Sequence, residues 1–190
     1  MSTAEHRDRF QGLVDEHKKI LYKVCHSYCR NSDDREDLAQ EIIVQLWRSF
    51  NKFDGRCRFS TWMYRIALNV AISFYRREST RTRHVISSEE HLLEAAKEAE
   101  KHPEEIRLLY QFIDSLDPLN KALVLLFLDG NNYQEIAGVV GISETNVATK
   151  ISRLKQKMRQ EFAGTGRPQS ESPGAPRPVV IKYQTRIDRN

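Results

Sequence analysis

Thr145, Asn146, Thr149, Ser152, Arg153 and Lys157 share one helical face when residues 143–162 are turned by about 100° each, with Lys150 and Lys155 at its flanks. Short hydroxyl and amide side chains at the start of such a helix reach base edges, and the cations that follow suit phosphates. The chemistry is duplex nucleic-acid recognition. The opposite face, Val147, Ile151, Leu154, Met158 and Phe162, is an apolar stripe for a core. A first helix from Tyr133 to Val140, with Ile136, Ala137 and Val140 on one side, must hold that face in place. Gly141 supplies the positive φ of a tight turn, and Ser143 stands where it caps the second helix. Small Ala137 lets the helices approach and Val147 plugs the angle between them, so residues 133–152 read as a helix-turn-helix. A merely solvated amphipathic helix would leave the agreement of turn, small residue and basic face without a cause.

A second set lies on a helix expected to start at Ser60 or Thr61. Met63, Ile66, Ala67, Val70, Ala71 and Phe74 face inward, whereas Arg65, Asn69, Ser73 and Arg76 line up outward with Trp62 beside them. Charge, an amide, a hydroxyl and a ring on one face suit a nucleic-acid backbone and unstacked bases. The preceding loop, Asn51 to Arg58, turns at Asp54-Gly55, and Phe53, Phe59 and Tyr64 are candidates for further flat surfaces, of which only one or two are expected to touch bases because most helical rings are core.

A third helix precedes that loop, with Asp33 and Glu36 close to a capping box and acidic residues where the helix dipole favours them. Leu38, Ala39, Ile42, Ile43, Leu46, Trp47 and Phe50 fill one broad arc; Asp37, Gln40, Glu41, Val44 and Arg48 fall on the other. Val44 reads either as an ordinary surface valine or as part of a docking surface for a partner protein. Residues 8–30 are compatible with one or two amphipathic helices.

Composition narrows the class. At 190 residues and 39% hydrophobic, the chain has room for two small domains, and a net charge of +4 with 26 acidic residues makes the positive charge local. No apolar run reaches membrane-spanning length and the first residues lack a signal core, which places the protein in the cytoplasm without membrane insertion. Three cysteines, Cys25, Cys29 and Cys57, argue against a disulfide framework; Cys25 and Cys29 read as two buried thiols on one helix face, with no metal or cofactor expected. No nucleophile elbow, P-loop or cofactor turn is present, and the neighbouring carboxylates Asp33–Asp34 and Glu89–Glu90 read as cap and solvated linker, so no catalysis is expected. Residues 79–103 read as a polar, flexible linker. Two amphipathic helices follow, with Ile106, Leu109, Phe112, Ile113 and Leu116 on the first and Leu119, Leu123, Leu126 and Phe127 on the second, started by Asp117-Pro118. Residues 164–190 read as a disordered Pro-rich tail.

The order of these parts is specific. A DLAQE helix ending in Trp47, an FSTWMYRIALN helix, a polar linker and a four-helix unit closing on YQEIAGVVGIS resemble the extracytoplasmic-function class of bacterial sigma-70 factors. The resemblance implies an all-α fold of two small domains joined by a flexible linker: 8–78 for core RNA polymerase and the minus-ten element, and 104–163 for the minus-thirty-five element. It implies that Asp37, Gln40, Glu41, Val44 and Arg48 bind the polymerase clamp. It further implies that Arg58, Phe59, Trp62, Arg65, Asn69, Ser73 and Arg76 capture and melt the minus-ten element, and that Ser143, Thr145, Asn146, Thr149, Lys150, Arg153 and Lys157 read the minus-thirty-five duplex. Promoter DNA, core polymerase and an anti-sigma factor are the implied partners. The chain departs from the family pattern at Ser73, Phe74 and Tyr75, ahead of Arg76 and Arg77. A stand-alone repressor would explain the helix-turn-helix but leave the DLAQE face and the aromatic loop without a task, and dimerisation heptads are missing.

Overall fold

Helix boundaries in the computed structural model, which describes residues 3–82 and 104–163, follow local capping chemistry. The linker expected over 79–103, beyond residue 82, and the expected Pro-rich tail lie outside the described residues. Among the described residues the chain forms eight helices: α1 (Thr3–Glu16), α2 (Lys18–Tyr28), α3 (Ser32–Phe50), α4 (Phe59–Thr82), α5 (Glu104–Asp114), α6 (Pro118–Leu128), α7 (Tyr133–Val140) and α8 (Glu144–Ala163). The amphipathic stretch at the N-terminus is therefore two helices, divided at His17, whose ring Nδ1 lies 2.9 Å from the Leu13 carbonyl.

The cap of α3 differs from expectation. Asn31, not Asp33, occupies the N-cap; its side-chain oxygen accepts from the Asp34 N–H at 2.7 Å, which leaves Asp33 and Asp34 in the first turn beside the positive end of the dipole. Asp117 caps α6 by accepting from the Leu119 and Asn120 N–H groups at 3.1 and 3.0 Å, with Pro118 at the first helical position where its missing donor costs nothing. Asn132 and Glu135 form a reciprocal capping box on α7, which ends at Gly141 with φ 78°. That left-handed turn is open to glycine without penalty.

Packing proceeds in two halves. In the first, α2, α3 and α4 close around Val24, Leu38, Ile42, Leu46, Met63 and Ala67, with α1 lying over them through Phe10. In the second, α7 and α8 pack on α6 around Leu123, Leu126, Ile136, Val147 and Ile151. Val139, rather than Val140, completes the buried side of α7 beside Ile136. The two halves also pack on each other. α2 touches α5 and α6, α4 touches α6 and α7, and the buried residues of both halves join in a single core. This explains why α6 is buried on nearly every side from Lys121 to Leu126, more completely than a one-faced amphipathic helix would be.

Candidate polymerase and nucleic-acid interfaces

The outer face of α3 is a charged rim around an apolar ridge. Asp37, Gln40, Val44 and Arg48 are exposed and Glu41 is half-buried, its carboxylate accepting from the Arg77 guanidinium of α4 at 2.6 Å. Val44 is 47% exposed, and it is not alone: Ile43 and Trp47, expected in the inward arc, are 37% and 40% exposed. The inward arc is narrower than the sequence suggested because the buried positions of α3 are Leu38, Ile42, Leu46 and Phe50, each four residues from the next. Ile43, Val44 and Trp47 then sit side by side at i, i+1 and i+4. The Trp47 ring packs against His6 at 5.6 Å and Phe10 at 5.0 Å between centroids.

Between α3 and α4 the loop is held by rings. Phe50, Phe53, Phe59 and Trp62 stand within 5.2 to 6.5 Å of one another in tilted, edge-on and stacked pairs, an arrangement that adds specific geometry to apolar burial. Gly55, φ 75°, turns the loop, and Asp54 accepts from the Arg56 N–H at 3.0 Å. The expectation for Phe59 and Tyr64 needs correction. Phe59 is 7% exposed and Tyr64 2%, so both belong to the core and neither offers a face to a base. Aromatic composition alone does not separate a stacking ring from a packing ring. Trp62 stays half-buried, with one side on that cluster.

Arg65, Asn69, Ser73 and Arg76 form the expected outward row on α4, all exposed. Ser73 donates its hydroxyl to the Asn69 carbonyl at 2.9 Å, which fixes its rotamer and leaves the oxygen open as an acceptor. Arg65 and Arg58 have partners on α7. Arg65 donates to the Gly138 carbonyl of α7 at 2.6 Å, and Arg58 lies 3.4 Å from Glu135 at the start of α7.

On α8 the anticipated faces are present. Val147, Ile151 and Leu154 are buried, with Met158 and Phe162 packed at the margin, and Thr145, Asn146, Thr149, Arg153 and Lys157 are exposed. Ser143 does cap: its Oγ accepts from the Asn146 N–H at 3.3 Å. The Thr149 hydroxyl donates to the Thr145 carbonyl at 2.9 Å. Lys150 is half-buried, Lys157 lies 3.6 Å from Glu161, and the Lys155 ammonium sits over the Phe127 ring at 4.2 Å. Lys155 is thereby committed to packing and drawn away from the phosphate-facing set.

Burial pushes the Cys25 and Cys29 thiols from their ordinary 9.0 up to about 12, with nearby Asp34 adding to the rise at Cys29. Both stay protonated at neutral pH, which disfavours metal binding and nucleophilic attack. No group of three His, Cys, Asp or Glu among the described residues could hold a metal ion. In native protein one thiol, the exposed Cys57, should react with a maleimide at pH 7, and all three should react after unfolding. Between 9.0 and about 12 the folded chain holds protons that the unfolded chain has released, so this contribution is full below pH 9 and is lost as pH rises toward 12. The unfolding midpoint should fall over that range, less steeply in a Cys25→Ala/Cys29→Ala chain.

Comparison with known proteins agrees with the division seen in the fold. Residues 13–81 match the family Sigma-70 region 2, and residues 106–158 match Sigma-70, region 4. The chain is 26% identical over 163 residues to the ECF RNA polymerase sigma factor SigX of Bacillus subtilis, covering 82% of this chain and 84% of that one. It is 30% identical over 137 residues to the ECF RNA polymerase sigma-E factor of Escherichia coli, covering 66% and 72%. Among solved structures, CnrH in complex with the cytosolic domain of CnrY shares the fold at a TM-score of 0.61 and 24% identity, over 84% of this chain and 91% of that one. No helix among the described residues is long and apolar enough to cross a membrane. With both conserved regions in order and helices to match, the chain belongs to the extracytoplasmic-function class of sigma-70 factors, transcription initiation factors that bind core RNA polymerase, direct it to promoters and help melt the minus-ten element.

Proposed function

We propose that the three surfaces divide the work of initiation as follows. Asp37, Gln40, Glu41, Val44 and Arg48, joined by Ile43 and Trp47, dock α3 on core polymerase. Arg58, Trp62, Arg65, Asn69, Ser73 and Arg76 take the unpaired minus-ten strand, with Phe59 holding the loop from behind. Thr145, Asn146 and Thr149 read bases of the minus-thirty-five duplex, while Lys150, Arg153 and Lys157 meet its phosphates and Ser143 sets the helix start. Residues 8–78 and 104–163 are the two working domains, joined through 79–103 and followed by the tail 164–190. The protein acts in the cytoplasm and adds no catalytic group of its own. An anti-sigma protein is its natural inhibitor, in keeping with the solved complexes of CnrH with CnrY and of Bartonella quintana RpoE with the anti-sigma factor NepR.

The single observation carrying this reading is the exposed apolar ridge of Ile43, Val44 and Trp47 inside a charged rim, a docking surface in need of a partner. Strand capture is an exchange of stacking energies: each base stacked on a ring recovers about 1–3 kcal/mol of what unpairing costs. Polymerase contacts tip that near balance. Permanganate reactivity of minus-ten thymines in the holoenzyme–promoter complex tests the strand assignment. Asn69→Ala and Arg76→Ala should lower it without lowering duplex binding; unchanged reactivity in both removes them from the strand face. For the phosphate set, Arg153→Ala should weaken holoenzyme binding about equally on all promoters and flatten the log–log salt slope by about one unit. An unchanged slope would place Arg153 off the DNA.

A further inference from the structure

A threonine in a DNA groove is an ambiguous reader, because its hydroxyl can give a proton to a base or take one from it. At Thr149 the helix that carries the residue removes the ambiguity. The Thr149 Oγ1 lies 2.9 Å from the Thr145 carbonyl oxygen, one turn back along α8. A carbonyl has no proton to give, so the proton of that bond is the hydroxyl's own and is directed into the helix backbone. Thr149 is exposed, and what it offers outward is acceptor capacity alone. The bond also settles the side-chain rotamer, since a helical threonine has two open to it and this contact selects one. Ser143, ahead of the same helix, is arranged the other way: its Oγ accepts from the Asn146 N–H at 3.3 Å, which leaves its proton free for a phosphate. The other exposed groups do not share the polarity of Thr149. The Asn146 amide carries both a donor and an acceptor and can turn either toward a base, whereas Arg153 and Lys157 only donate.

We infer that Thr149 is an acceptor-only reader of the minus-thirty-five duplex, and that its partner is an exocyclic amino group, N6 of adenine or N4 of cytosine. The inference rests on the assignment of Thr149 to base contacts and adds the sense of the hydrogen bond. Every base pair presents one amino group in the major groove, so this contact does not sort A·T from G·C. It reports which strand bears the amino group. On the strand that Thr149 faces, adenine and cytosine are favoured; guanine and thymine turn O6 or O4 to the same place and set two acceptors against each other. To meet a keto oxygen the hydroxyl would have to leave the Thr145 carbonyl, losing one hydrogen bond to make another. A single net bond, made with one class of base and not with the other, is worth about fivefold in binding.

The test is selection of promoters, from a library randomised across the minus-thirty-five element, by holoenzyme assembled from core RNA polymerase and the full chain, repeated with Thr149→Val and Thr149→Ser. Thr149→Val keeps the branch and the methyl group and removes the acceptor; Thr149→Ser keeps the acceptor and removes the methyl group. The wild type and Thr149→Ser should favour adenine or cytosine about fivefold at one position of one strand, and Thr149→Val should accept every base there. The atom is then tested directly. Replacing the preferred adenine by unsubstituted purine, or the preferred cytosine by pyrimidinone, removes the amino group and should weaken wild-type binding about fivefold more than Thr149→Val binding. A preference for guanine or thymine at the position that Thr149→Val erases overturns the inference by showing a donated proton. A preference that Thr149→Val retains and Thr149→Ser loses overturns it by showing a methyl contact. The underlying assignment fails separately, if neither variant alters the profile at any position while Arg153→Ala still lowers affinity on all sequences.

Discussion

Val44→Glu should abolish polymerase-dependent transcription while leaving the fold intact. Val44 lies at the centre of the exposed ridge on α3, flanked by Ile43 and Trp47 and rimmed by Asp37, Gln40, Glu41 and Arg48. A carboxylate placed there would be desolvated on docking, a cost that Arg48, four residues along the same face, would offset only in part. A loss of about 2 kcal/mol, the size reached at the centre of an interface, is about thirtyfold in affinity. Its effect on the free protein should stay within about 0.5 kcal/mol of stability, since nearly half of the residue already faces solvent. Binding of core polymerase measured by fluorescence anisotropy, beside a thermal scan, separates the two. Trp47→Ala should lose affinity and stability together, because its ring also supports Phe10 and His6.

Val147→Asp should have the largest effect on stability. Val147 is fully buried where α7 and α8 cross, so a carboxylate there would be cut off from water. An uncompensated buried charge costs about 3–5 kcal/mol, a large share of the stability of an ordinary domain. The helix-turn-helix should lose its fixed angle, and duplex binding by the holoenzyme should disappear along with a fall in the unfolding midpoint. Thr149→Ala, two residues along on the exposed face of the same helix, should leave the midpoint in place and change preference at one base. A Val147→Asp chain that melts like the wild type would contradict the packing described for this corner.

These two positions also show what the sequence reveals and what it hides. Val147 was legible because its role is set locally: Ala137, Gly141, Ser143 and the spacing of the apolar stripe lie within a few residues and demand one turn geometry. The outward row on α4 was legible for the same reason, since helical periodicity fixes faces. The ridge on α3 was only half visible. Val44 stood out against polar neighbours, whereas Ile43 and Trp47 were absorbed into an apolar arc wider than the surface that packs against it. Phe59 and Tyr64 were misjudged because a ring that stacks and a ring that packs have the same composition and spacing. The contacts between the halves were invisible, since Lys23 and Asp129 are separated by 106 positions and Tyr64 and Asp129 by 65, distances over which no periodicity carries information. Lys121 gave no signal either: a lysine in an apolar helix reads as solvated until the first half of the molecule is seen to close over it.

The most direct measurement is run-off transcription from a promoter library with purified core RNA polymerase, with and without this protein and its Val44→Glu variant. Transcripts that require the wild-type chain and vanish with the variant are the expected result, and their shared upstream sequences would define the two promoter elements. Specific duplex binding by the free protein, with no transcript that depends on adding it to core polymerase, would contradict the account.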